Sequence, residues 1–390
     1  MAIHPQWLSL VICSLVVLQT RAAYEPIPLT FPQNAEAMGA VCLDGSPPAY
    51  QLKKGGPEHQ HNWLIYMEGG GWCRSVKECR ARTLEHRGSS KHMMENSALL
   101  FGGILNDNPK YNPSEFRKWN VVIMRYCDGS SFIGDVEKPV ENLYFRGKRI
   151  FEAITTELLS KGLKDAKQVF LTGGSAGGVS VFLNCDRFHK LLSNTTKFKC
   201  LSDGGYFIHA KKDPKQANGF ESMFKDVVAL HNSTGMLPQA CTEKMKCQPY
   251  LCMFPQYVVE DMVTPIFILM SPYDAYQMNV TLGDQVYFAV RKSFQDHVNL
   301  PAPVYQVLKD FRLQFLDALP PSKPSNEIFI NNCFGHTEIA SSTWNEDGNQ
   351  VNSVMLKNAT WDWYFDRLEG VNLIEKIDLI KNCTADTYLA

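Results

Sequence analysis

Six consecutive residues, Gly173-Gly174-Ser175-Ala176-Gly177-Gly178, follow directly on the apolar run Gln168-Val169-Phe170-Leu171 and lead into a stretch with helical spacing. A G-x-S-x-G pentad in that setting predicts a strand, a sharp turn and a helix in immediate succession. Glycine is required because the backbone approaches its neighbours closely, and the turn lifts the Ser175 hydroxyl clear of the sheet. Ser175 then lies at the N-terminus of the following helix, where unpaired backbone N–H groups favour a developing negative charge. The architecture that supplies such a turn is a parallel sheet with helices between its strands.

The rest of the chain repeats the same alternation. Strands are expected at Trp63 to Met67, Val121 to Met124, Val169 to Leu171, Lys199 to Leu201, Pro265 to Met270 and, last, Glu327 to Ile330. Helices are expected at Val76 to Arg87, Leu143 to Leu159, Ala176 to His189 and Val304 to Leu319, the second marked by the one-sided spacing of Ile150, Ile154 and Leu158. This is an α/β chain, α/β-hydrolase-like, with a mostly parallel sheet and helices on both faces. Neither a repeat nor a linker divides it, so residues 23–390 are expected to form a single domain with insertions, the Cys- and Pro-rich region 236–260 being one. With 45% hydrophobic and 20% charged residues the chain has the material for a large core. Its formal net charge of −1 gives no global attraction to nucleic acid or to an anionic membrane.

The first 22 residues have the pattern of an export signal, an apolar stretch from Trp7 to Leu18 followed by the small-x-small sequence Thr20-Arg21-Ala22. Twelve cysteines in a chain of this size suit an oxidising compartment, and removal of Cys13 with the leader leaves an odd number, hence at least one free thiol. Cys73–Cys79 and Cys247–Cys252 are expected as local bridges. No C-x2-C pair or ligand-spaced histidine cluster suggests a metal, and no cofactor is expected. Sequons at Asn194, Asn232, Asn279, Asn358 and Asn382 are in keeping with export.

A serine hydroxyl becomes a useful nucleophile only when a base removes its proton and a third group orients that base. Both partners follow in the order Ser, Asp, His, each just past a strand end: Asp274 in Ser271-Pro272-Tyr273-Asp274 and His336 in Phe334-Gly335-His336. Asp203, which also follows a strand, is the alternative orienter. The oxyanion of a tetrahedral intermediate needs two N–H donors, expected from Ala176 and from Gly70 or Gly71 in the run Glu68-Gly69-Gly70-Gly71-Trp72. Trp72 and Arg74 are the expected substrate contacts, the first an apolar wall. Arg74 begins a basic stretch with Lys77, Arg80, Arg82 and Arg87, which serves either as a solvated helix face or as a holder of an anionic polymer.

Six ordered motifs carry a resemblance: Met67 to Cys73, Arg125 to Ser130, Gly173 to Gly178, Lys199 to Asp203, Phe254 to Tyr257 and Asn332 to His336. Together they resemble the plant pectin acetylesterases, a family similar in turn to the animal carboxylesterase Notum. The resemblance implies a secreted cell-wall serine esterase that removes acetyl groups from galacturonan without a metal, with Ser175, Asp274 and His336 as nucleophile, acid and base. Acetylated pectin or another acetylated polysaccharide is the implied partner. A Notum-like deacylase of lipidated protein and a catalytically silent polysaccharide-binding protein are the alternatives. Plant members usually carry Cys at the position of Gly174 and another directly after the histidine, at Thr337; a brace between those loops is expected to be missing here.

Overall fold

The computed structural model describes residues 26–94, 101–210, 219–346, 348–368 and 372–383. The expected leader lies outside the described residues. Nine strands form one sheet in the order β1-β2-β4-β3-β5-β6-β7-β8-β11. They are β1 (Leu29–Thr30), β2 (Tyr50–Lys53), β3 (Asn62–Met67), β4 (Asn120–Met124), β5 (Gln168–Gly174), β6 (Lys197–Asp203), β7 (Ile266–Met270), β8 (Glu327–Ile330) and β11 (Leu373–Ile374). A separate hairpin pairs β9 (Gln350–Val351) with β10 (Val354–Met355). From β4 across to β11 every pairing is parallel; β2 alone runs the other way, antiparallel to both β4 and β1.

Side chains of successive strand residues point to opposite faces, and both faces are dry, so the strands are nearly continuous in apolar residues. Ile65, Met67, Val122, Val169, Leu171, Ile268 and Met270 belong to one core. Leu64, Val121, Ile123, Phe170, Leu201, Phe267 and Phe329 belong to the other. The helices divide unequally between the two. The first core takes the apolar stripes of α2 (Gly147–Ser160), α3 (Ala176–His189), α4 (Phe220–Leu230) and α8 (Ala302–Asp317). The second is closed by α9 (Leu356–Tyr364), whose Trp363 and Tyr364 pack against Phe170. The remaining helices are α1 (Val76–Arg82), α5 (Gln239–Lys244), α6 (Ala275–Leu282) and α7 (Asp284–Gln295).

Three expectations shift. The helix expected from Leu143 starts at Gly147, because the backbone before it is engaged elsewhere: Leu143 pairs with Val140, Tyr144 N–H donates to Leu43, and Phe145 C=O accepts from Val136. α1 ends at Arg82 rather than Arg87. Glu327–Ile330 is not the last strand, since β11 pairs alongside it; two residues are too short for any periodicity to announce.

Five disulfides join Cys42–Cys127, Cys73–Cys79, Cys185–Cys200, Cys241–Cys252 and Cys333–Cys383. The expected Cys247–Cys252 bridge is therefore corrected. α5 turns Cys241 inward, where Cys252 is also buried, and leaves Cys247 exposed and free.

Candidate active site

β5 runs straight into α3 through Ser175, which adopts φ 58° and ψ −124°. A non-glycine residue holds such a conformation only when its surroundings impose it. They do so here by close packing. A Cβ on Gly177 would lie 2.0 Å from the Met67 carbonyl oxygen, and one on Gly69 would lie 2.2 Å from that of Gly174 and 3.0 Å from Ser175 Cβ. The glycines on both sides of the serine thus allow the β3 loop and the first turn of α3 to meet at Ser175.

Asp274 follows β7 and caps α6, its carboxylate accepting from Gln277 N–H. His336 lies six residues beyond the end of β8. The structure brings the three together although their strands are far apart in sequence. His336 Nε2 is 2.7 Å from Ser175 Oγ, and His336 Nδ1 is 2.7 Å from Asp274 Oδ2. Burial disfavours the imidazolium, but the charge of Asp274, its hydrogen bond and the more distant charge of Asp203 outweigh that and hold the His336 pKa above the ordinary histidine value.

Asp203 does not take the orienting position considered for it. Its Oδ2 accepts the N–H groups of Glu338 and Ile339, at 2.7 and 2.9 Å, and so grips the loop that carries His336. Its own carbonyl accepts Ser175 N–H. Burial and the neighbouring Glu338 carboxyl push its pKa up to about 7.

Gly70, Gly71 and Trp72 follow β3 into the gap between Ser175 and α1. Among the described residues, none of the N–H groups of Gly70, Gly71, Trp72 and Ala176 donates to a protein acceptor. Trp72 is buried, and its indole N–H donates to Ser131 Oγ, which donates to the Ala176 carbonyl. This chain ties the glycine loop to the first turn of α3. Around Trp72 stand Phe224, Phe207, Phe220 and Tyr276, with ring centroids 5.1 to 6.3 Å away. Tyr276 also stacks on the His336 ring at 5.5 Å.

The basic stretch is mostly spoken for. Arg74 pairs with Glu78 and Arg80 with Glu141, while Arg82 donates to the Gly70 carbonyl. Arg87 is exposed, makes no ion pair among the described residues and lies against Gly70, where a Cβ would meet its Cδ at 2.9 Å. Gly174 and Thr337 face one another, a Cβ on the glycine falling 3.2 Å from Thr337 Cγ2.

Cys73, Cys79 and His231 form the one cluster of metal-ligating groups among the described residues. Its atoms are engaged, the sulfurs with each other and His231 Nε2 with the Cys73 carbonyl at 2.9 Å. Burial pushes the His231 pKa down to about 4, so it is a neutral packing residue.

Sequence reasoning missed Ser131, Tyr126 and the linking role of Arg82. Only the segment Arg125 to Ser130 stood out, and without a role.

The pectinacetylesterase family model matches residues 20–386. Pectin acetylesterases 7 and 11 of Arabidopsis thaliana are each 40% identical, covering 95% and 93% of this chain and 94% and 92% of their own lengths. The palmitoleoyl-protein carboxylesterase NOTUM of Mus musculus is 29% identical over 83% of this chain and 63% of its own. The Wnt deacylase Notum from Drosophila superposes with a TM-score of 0.74 at 24% identity, covering 91% of this chain and 97% of that one, and so shares its fold. No helix among the described residues is long and apolar enough to cross a membrane. The chain belongs to the pectinacetylesterase family and is a carboxylic ester hydrolase.

Proposed function

We propose that the protein is a secreted serine esterase that hydrolyses acetyl esters of cell-wall pectin and releases acetate. The observation that carries this reading is the continuous contact from Asp274 through His336 to Ser175, 2.7 Å at each step, ending on a strained serine at a helix N-terminus. Ser175 attacks the acetyl carbonyl as His336 Nε2 accepts its proton, and Asp274 keeps Nδ1–H directed and stabilises the imidazolium. Ala176 N–H and amides of the Gly70-Gly71 loop receive the oxyanion. His336 then protonates the departing sugar oxygen, and water, activated by the same imidazole, releases acetate.

A small acyl group suits the aromatic packing beside His336, where Phe207 and Phe220 stack at 4.6 Å and both contact Trp72. Such rings must separate before a long acyl chain could enter. An anionic polymer suits Arg87, which is exposed, lies against Gly70 and makes no ion pair among the described residues. Export is supported by the five disulfides and by the leader-like residues 1–22.

Ser175→Ala tests the reading. Turnover of acetylated pectin and of nitrophenyl acetate should fall by about four to six orders of magnitude with folding intact. The wild-type protein should prefer the acetyl ester to a long-chain nitrophenyl ester. Substantial turnover by the variant sinks the nucleophile assignment, and a preference for the long chain sinks the acetyl one.

A further inference from the structure

Two side chains outside the Ser-His-Asp contact hold the carbonyl groups of the glycine loop. Arg82 Nη2 donates to the Gly70 carbonyl at 2.8 Å, and Tyr126 Oη donates to the Gly71 carbonyl, also at 2.8 Å. The two clamps support one another, since the Arg82 guanidinium lies over the Tyr126 ring, 5.8 Å from its centroid. Tyr126 is fully buried and its oxygen is fixed from the other side by Ser131 N–H at 3.0 Å.

In a trans peptide the C=O and the N–H point in opposite directions, and no cis peptide occurs among the described residues. Holding Gly70 O therefore directs Gly71 N–H away from Arg82, and holding Gly71 O directs Trp72 N–H away from Tyr126. Those amides are two of the donors without a protein acceptor. The far side of the loop is the reaction side: Gly69 abuts Ser175, and a Cβ on Gly71 would lie 3.5 Å from the hydroxyl of Tyr276, whose ring stacks on His336.

We propose that Arg82 and Tyr126 are positioning residues that aim the Gly71 and Trp72 amides at the oxyanion. The inference rests on Ser175 being the nucleophile. A merely structural arginine at the end of α1 would be expected to leave its guanidinium to water. Arg82 instead buries its Nε with no acceptor among the described residues, an arrangement that costs stability and is offset by the hold on the Gly70 carbonyl. The benefit is preorganisation: donors already fixed in a dry site need no reorganisation as charge develops.

The experiment compares Arg82→Ala, Arg82→Lys and Tyr126→Phe with wild type on nitrophenyl acetate, with Ser175→Ala run beside them. Inhibition by a trifluoromethyl ketone, which the serine converts into a tetrahedral oxyanion, is measured for the three clamp variants. Arg82→Ala should lower kcat by about 10- to 100-fold with KM changed by less than about threefold, and should weaken trifluoromethyl ketone inhibition in parallel. Arg82→Lys or added guanidinium should restore part of the rate. A folded Arg82→Ala variant with unchanged kcat and inhibition overturns the proposal. If Arg82→Ala fails to fold, Tyr126→Phe decides, a loss of about tenfold in kcat supporting the proposal and no loss overturning it. Should Ser175→Ala itself retain turnover, the nucleophile assignment fails instead; an inactive Ser175→Ala beside normal clamp variants condemns the positioning role alone.

Discussion

His336 stands between two carboxylates. Asp274 bonds Nδ1 directly, whereas Asp203 adds its charge at a distance while holding the next turn of chain through Glu338 and Ile339 N–H. Asp203 is buried, and its pKa of about 7 exceeds the ordinary value of 3.8. Between those two values the folded protein binds a proton that the unfolded chain does not, so stability falls as pH rises through that window. Asn at 203 would keep an oxygen for the two amides and remove the charge. We expect Asp203→Asn to flatten the dependence of Tm on pH from 4 to 7 and to lie above wild type at pH 7.5, by about 2–4 °C for each kcal/mol recovered. Its kcat/KM should also lose its acidic limb at lower pH than wild type, because one of the charges raising the His336 pKa is gone. Thermal scans and a pH–rate profile check both; wild-type-like slopes would exclude the assigned protonation. The positions of Ser175, Asp274 and His336 were legible because each follows a strand end, and parallel strands present their C-terminal ends together. Which carboxylate faces the imidazole was not, since Asp203 and Asp274 occupy equivalent places in the sequence pattern. Arg82, Tyr126 and Ser131 act on backbone oxygens, which leave no trace in side-chain pattern.

The strands from β3 to β8 and the helices α3 and α8 were legible to within a few positions, whereas α4, α6, α7 and α9 were not anticipated. α3 begins at Ala176 and ends at His189, and β8 spans Glu327–Ile330, as the residues suggest. Legibility failed where tertiary bonds compete with local preference, as before α2, and where elements shrink to two residues, as in β1 and β11. It failed as well in the region 236–260, where the short helix α5 decides which of two local cysteines reaches Cys252. Both separations, 5 and 11 residues, permit a bridge, so only the direction in which the helix turns Cys241 distinguishes them. The consequence is chemical. An alkylating reagent applied to native protein lacking residues 1–22 should modify Cys247 alone, detected by peptide mass spectrometry. Cys247→Ser should abolish labelling with Tm changed by less than about 1 °C, as befits an exposed site. Labelling at Cys241 under the same conditions would reverse the pairing.

At the scale of the molecule, the proposed catalytic geometry depends on the segment 372–383. After β8 the backbone makes the loop that carries His336, and the C-terminal segment returns along it. β11 pairs in parallel with β8, Phe334 N–H donates to Lys381 C=O at 2.7 Å, and Lys381 N–H donates to Asn332 C=O at 2.8 Å. Arg312, on α8, donates to the Glu375 carbonyl and draws the same segment toward the first core. Cys333–Cys383 closes this arrangement across 50 residues, three positions before His336. A covalent closure of that span restricts the unfolded chain and is worth about 2–4 kcal/mol, but its location adds a second effect. With Cys333 released, the 332–336 loop loses its covalent anchor. It is left with hydrogen bonds, among them those to Lys381, to Ile377 and from Ala275 N–H to the Gly335 carbonyl, and with the grip of Asp203 further on, so the imidazole should sample positions beyond reach of Ser175 more often. Replacing both cysteines by alanine should therefore lower Tm and also lower kcat several-fold at temperatures where the variant remains folded, with KM nearly unchanged. The matched control is Cys241→Ala with Cys252→Ala, a disulfide whose two ends lie far from the His336 loop in sequence. That pair should lower Tm while leaving kcat near wild type. Equal losses of kcat in both double variants would mean that general loosening, rather than the anchoring of the histidine loop by the segment 372–383, limits the reaction.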